Sequence, residues 1–139
     1  MKYLKTFNEG LSDLTYLEIL DFCEENLAYL MDDGFNVSVQ SDRFMDEIDW
    51  EVRLRNDENL KWDYIENHLV PFFIHLDKEF ELCNISSTHS ELEFFVREYG
   101  INHGYKWLSI KDLLNHEGDY DKLVGNVVES ITFYIKSRK

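Results

Sequence analysis

Hydrophobic residues recur along the chain with two different periods, and each switch between them marks an element. Leu14, Leu17, Leu20, Leu27, Leu30 and Met31 return at roughly helical spacing, while Glu18, Asp21, Glu24, Glu25 and Asp32 fill the other positions. A 3.6-residue turn would gather that apolar set onto one face, so the pattern predicts an amphipathic helix. Ser12 and Asp13 suit its N-cap, because a short side-chain oxygen can accept from the free N–H groups of a first turn. Gly34 stands where a left-handed glycine would end it.

The period then falls to two. Phe35, Val37 and Val39 alternate with Asn36, Ser38 and Gln40. After an acidic connection, Ile48, Trp50, Val52 and Leu54 alternate with Asp49, Glu51, Arg53 and Arg55. Two such runs predict an antiparallel pair with one wet face. Asn56 to Asn59 reads as a turn. A second helix follows, with Trp62, Ile65, Leu69, Phe72 or Phe73, and Leu76 inward. Pro71 lies inside it and predicts a kink or two abutting helices, because proline removes a helical donor.

Phe80 and Leu82, with Asn84 as an open choice, begin a third strand. Ser86 to Ser90 is a polar turn. Leu92, Phe94 and Val96 alternate with Glu93, Phe95 and Arg97 as a fourth. Residues 99–118 stay open, with Trp107, Leu108 and Ile110 as a short strand or a helical turn. A last helix is predicted from about Tyr120 to Ser137, burying Leu123, Val124, Val127, Val128, Ile131 and Tyr134 or Ile135. Lys136, Arg138 and Lys139 would then oppose the negative end of its dipole. The order is α-β-β-α-β-β-α. Half-wet strands and amphipathic helices are best served by a two-layer α+β sandwich, with an antiparallel sheet of about four strands and the helices on one face. Length fits a single domain over residues 1–139.

Composition changes this picture through charge. Fourteen Lys and Arg against 28 Asp and Glu give −14. Residues 1–60 carry 15 acids and 5 bases, and residues 61–139 carry 13 and 9. A field of that sign repels nucleic-acid backbones and anionic lipid and favours cationic partners. No apolar run approaches the length of a membrane span, and no secretory signal follows the first residues. Cys23 and Cys83, far apart and outside any CxxC spacing, read as reduced thiols of a cytoplasmic protein.

Candidate chemistry is sparse. His68 and His75 are seven residues apart, two turns along one helix face, too far to share a zinc ion. His116-Glu117 with Asp119 and Asp121 could touch a hard cation, but there is no EF-hand pattern with its required glycine position and terminal glutamate. Asp63 and Glu66 beside Trp62 are candidate carboxylates for acid–base work, with an exposed helix face as the plainer explanation. There is no nucleophile elbow and no phosphate-binding glycine loop. The sequence therefore implies no catalytic residue, no metal and no cofactor. It offers one interaction surface, the acids Asp42, Asp46, Glu47, Asp49 and Glu51 around the first hairpin. Trp50, Trp62 and Trp107 read as core or core-edge residues, and an exposed one would mark an interface.

The opening Met1-Lys2-Tyr3-Leu4-Lys5-Thr6-Phe7-Asn8-Glu9 resembles the start of many small proteins of marine and T-even-like tailed phages. Phe22 to Val39 (FCEENLAYLMDDGFNVSV) and Leu60 to Leu76 (LKWDYIENHLVPFFIHL) are similar to uncharacterised proteins of such phages. The two internal stretches cover under half of the chain, and the group carries no known activity. Phe7-Asn8-Glu9 before Gly10 is also similar to the end of their capsid-targeting peptides, where Leu or Ile, any residue and Glu precede the cut. Phenylalanine stands here in place of Leu or Ile. The resemblance implies a mature chain beginning at Gly10; the alternative is an N-terminal turn whose Tyr3, Leu4 and Phe7 pack on the domain.

The expectation is a non-enzymatic, acidic accessory protein of phage type. It would bind another protein, with a basic partner favoured by the charge, through the wet sheet face or the acidic hairpin, without direct contact to nucleic acid or membrane. A DNA-mimicking inhibitor of a nucleic-acid-binding host protein is the first alternative. A metal-dependent hydrolase built around His103 or His116 is the second. The sequence sets no oligomeric state.

Overall fold

Two β-hairpins of this α+β chain are joined by its last strand. The computed structural model describes residues 10–41, 50–83, 92–98 and 102–136. Helix α1 (Gly10–Asn26) and the short α2 (Ala28–Asp32) lead into hairpin β1 (Phe35–Ser41) and β2 (Trp50–Asn56). Helix α3 (Trp62–Glu79) follows, then β3 (Glu81–Cys83) and the hairpin β4 (Leu92–Glu98) and β5 (Asn102–Leu108). Helix α4 (Ile110–Asn115) and a 3-10 segment (Gly118–Lys122) precede β6 (Val127–Lys136). The sheet runs β1-β2-β6-β4-β5, with β3 also paired to β6, and every pairing is antiparallel.

The first predicted helix is present but divided at Leu27 (φ −119°). Helical bonding persists across the break: Leu27 N–H reaches Cys23 O at 2.9 Å and Met31 N–H reaches Leu27 O at 2.9 Å. Ser12 and Asp13 fall inside α1 rather than capping it. Gly34 ends the helical region as expected, with φ +112°. Helix α3 runs as one segment through the exposed Pro71 rather than as two abutting helices. All its predicted inward residues are buried: Trp62, Ile65, Leu69, Phe72, Phe73 and Leu76.

The predicted final helix is instead β6, the central strand of the sheet. Lys136 therefore ends a strand rather than a helix, and residues 137–139 lie outside the described residues. A bulge explains the false helical period. Phe95 pairs with Ser130 but Val96 with Val128, so Glu129 is an extra residue on β6. The buried set becomes Val128, Ile131, Phe133 and Ile135, a step of three followed by steps of two. Val124, expected inside, is exposed, and Phe133 takes the central place that the helical pattern overlooked. The β-branched and aromatic residues of this stretch suit a pleated surface. Residues 99–118 hold both open alternatives in turn: Trp107 and Leu108 lie in β5, and Ile110 opens α4. Among the described residues the sheet thus has six strands rather than about four.

The buried side chains form one cluster running from Ile19 to Ile135. Helices meet the sheet through aromatic rings. Trp62 lies edge-on to Phe94 at 5.8 Å, Phe73 edge-on to Phe133 at 5.8 Å, and Tyr16 of α1 meets Trp50 at 5.5 Å. Each fully buried ring or aliphatic side chain contributes roughly 1.5–3 kcal/mol by leaving water.

Candidate functional site

Alternation leaves the other face of the sheet to polar and aromatic side chains, and the strand register sorts them into rows. Residues directly opposite one another in a ladder share a face. One row reads Ser38, Arg53, Thr132, Glu93 and Trp107, one residue from each of five strands. The next reads Asn36, Arg55, Ser130, Phe95 and Tyr105. With neighbouring strands about 4.8 Å apart, each row spans about 19 Å from β1 to β5.

One end of this surface is cationic. The side chains of Arg53 and Arg55 are 50% and 60% exposed. Arg53 Nε donates to Thr132 Oγ1 at 3.4 Å, and its Nη2 lies 3.6 Å from Glu51. Arg55 Nη2 lies 3.4 Å from Asp57, whose carboxylate also accepts from Asn36. A guanidinium has five donors, so these long contacts orient both groups while leaving N–H groups toward solvent. A shallow hollow lined by Asn36, Val37, Ser38 and Arg55 opens beside them.

The other end is aromatic. Phe95 and Tyr105 meet at 4.8 Å, and Tyr105 stacks near-parallel on Trp107 at 6.1 Å. Tyr105 is 53% exposed, and Trp107 Nε1 donates to Glu93 at 3.2 Å. Arg97 sits below the aromatic row, where its Nη2 meets Glu129 at 2.8 Å and Asn59 at 2.9 Å. All three described arginines, Arg53, Arg55 and Arg97, therefore lie on this one face. Trp50 and Trp62 are core residues as expected, but Trp107 is half-buried on the open face.

Of the acidic surface expected from sequence, Asp42, Asp46, Glu47 and Asp49 lie outside the described residues. Glu51 is on the open face beside Arg53. The candidate catalytic groups do converge in part. Tyr120 donates to Glu66, His116 stacks on Tyr120 at 4.2 Å, and Asp63 accepts from Gly125 N–H at 3.1 Å. The Tyr120–Glu66 bond fastens the 3-10 segment to α3, and the Gly125–Asp63 bond fastens the turn that follows it. Burial, then the bond to Glu66, pushes the Tyr120 phenol above its ordinary pKa. Among the described residues, no three His, Cys, Asp or Glu side chains gather as a metal site, and no helix is long and apolar enough to cross a membrane. Cys23 is buried and unpaired with another cysteine, and burial followed by the charge of Glu24 pushes its thiol up to about 12.

Comparison of the chain with known protein families, with curated proteins and with solved structures finds no match.

Proposed function

We propose that the chain is a non-enzymatic binding protein whose open sheet face docks another protein. The observation that carries this is the two-row platform, with exposed guanidinium groups at one end and Phe95, Tyr105 and Trp107 at the other. Arginine, tyrosine and tryptophan are the residues that dominate protein interfaces, because they combine a large contact area with directed hydrogen bonds. Mounted on a sheet, they stand in place before the partner arrives, which lowers the ordering cost of association. The partner would present a carboxylate or carbonyl to Arg53 and Arg55, and an apolar or planar group to Tyr105 and Trp107. A net charge of −14 weighs against a nucleic-acid ligand for the same platform. A phage-type setting in the cytoplasm of a bacterial host rests on the two internal stretches and the N-terminal opening named above. DNA mimicry takes second place, because Glu51 of its acidic set lies beside Arg53.

The test is affinity capture from host cells with the tagged chain and with the Arg55→Glu and Tyr105→Ala variants. A partner held by the natural chain should be lost by both variants, with affinity reduced more than about 30-fold, as for interface anchors worth 2 kcal/mol or more. Partners held equally by all three proteins, or capture of nothing specific, would refute the open face as a docking site. Circular dichroism must show both variants folded.

A further inference from the structure

A second exposed aromatic group lies on the helices, and it uses none of the sheet-face residues. Tyr29 of α2 is 74% exposed and Tyr64 of α3 is 49% exposed. His68, one turn beyond Tyr64, lies between them, 6.1 Å from the Tyr29 ring and 6.2 Å from the Tyr64 ring. The Tyr64 hydroxyl donates to the Asp33 carboxylate, which ties the end of α2 to the first turn of α3. That bond, with the charge of Asp33, raises the Tyr64 phenol above its ordinary pKa. Packing does not account for the exposed tyrosine. In α2 the core contact is made by Leu30, with Leu27 just before it, and Tyr29 points its ring at His68 instead.

On the α1–α2 side of this row the charge is all acidic, while the exposed Lys61 stands at the N-cap of α3, one turn before Tyr64. Between Lys5 and Arg43 the chain has no Lys, Arg or His at all. The side chains of Glu24, Glu25 and Asp32 are exposed, and Asp33 is half-buried. Aromatic faces attract a cation through their quadrupole, and carboxylates alongside supply the matching charge. We propose that Tyr29, His68 and Tyr64, flanked by Asp32 and Asp33, seat an arginine or lysine side chain from a basic segment of a protein partner. The planar guanidinium is the better fit, because it can stack on a ring while its edge reaches a carboxylate. The chain would then carry two docking surfaces of opposite chemistry, arginine-bearing on the sheet and carboxylate-bearing on the helices.

The test is an NMR titration of the isotope-labelled full chain with the peptide acetyl-Gly-Arg-Gly-Arg-Gly-amide, against the same peptide with citrulline in place of arginine. Shifts should cluster at Tyr29, Asp32, Asp33, Tyr64 and His68, and should be weak with the citrulline peptide. Tyr29→Ala changes no charge and should weaken binding about two- to five-fold, as a cation–aromatic contact at an exposed site implies. Tyr29→Phe should retain it, and Asp33→Asn should weaken it. Tyr105→Ala, a sheet-face change, should leave it intact, so this seat and the sheet platform stand or fall separately. Unchanged affinity in Tyr29→Ala, or shifts spread evenly over Glu18, Glu24, Glu25, Asp63 and Asp119, would show mere charge attraction and overturn the proposal.

Discussion

Asn56 on β2 donates through Nδ2 to the carbonyl of Val128 on β6 at 3.0 Å. The same nitrogen donates to Leu60 O at 2.7 Å, and Asn56 Oδ1 accepts from Leu60 N–H at 3.0 Å. A buried polar side chain thus fixes the turn into α3 and holds that turn against the central strand. Replacing Asn56 by Leu or Ala leaves the Val128 carbonyl and the Leu60 N–H without it, each worth about 1–3 kcal/mol when buried. Asn56→Leu should lower stability by about 2–4 kcal/mol in urea unfolding. Asn56→Asp should do comparable damage, since it removes both donors and buries a charge.

Gly34 joins α2 to β1 at φ +112°, and a Cβ built there would lie 2.1 Å from Glu58 Cγ. Gly34→Ala should therefore cost about 1–3 kcal/mol, from backbone strain plus the clash. Adding Glu58→Ala should relieve the contact with Cγ, but neither the 2.9 Å approach to Glu58 Cβ nor the backbone strain. Additive losses in the double variant would show that the two residues do not meet.

Cys23 is buried with its thiol held up to about 12. In a chain carrying Cys83→Ser, the native protein should resist iodoacetamide at neutral pH and react only after denaturation, because the thiolate is the nucleophile. The sign of the linkage follows from the raised value. Below pH 9 the thiol is protonated in both states and its stabilising effect is fully present; it is lost as pH rises from 9 toward about 12, where the unfolded chain ionises first. Cys23→Ala should flatten that alkaline limb while costing some packing.

Tyr120 donates a hydrogen bond to Glu66, and its phenol is likewise raised above the ordinary 10.0. Its contribution is present below pH 10 and declines above it. Tyr120→Phe should cost about 0.5–1.5 kcal/mol at neutral pH, the worth of one such bond, and should remove part of the alkaline loss. An unchanged melting temperature from pH 7 to 11 in the natural chain would contradict both titrations.

The fold was legible where burial alone set the pattern. Trp62, Ile65, Leu69, Phe72 and Leu76 announced α3, and Trp50, Val52 and Leu54 announced β2, because each element buries one face throughout. Strand β6 was not legible, because the bulge at Glu129 shifts its phase and counterfeits a helical step from Val128 to Ile131. The open face was half legible. Glu51, Arg53 and Arg55 alternate away from the core in the sequence itself. That Arg55 shares a row with Phe95 and Tyr105 depends on β6 lying between them, and local periodicity carries no such information. The step of two between Tyr105 and Trp107 was the available signal that both leave the core together.

The central place of β6 also governs how the chain must fold. Among the described residues, the hairpins β1–β2 and β4–β5 share no ladder with each other, and each pairs with β6. Trp50 waits for Ile135, and Leu92 for Phe133. On the ribosome, both hairpins emerge with an unpaired inner edge before their shared strand has been made. Non-local pairing of this kind folds slowly and exposes strand edges meanwhile. Pairing of β6 is therefore the step at which two separate hairpins become one cooperative unit, and until then their inner edges are open to aggregation.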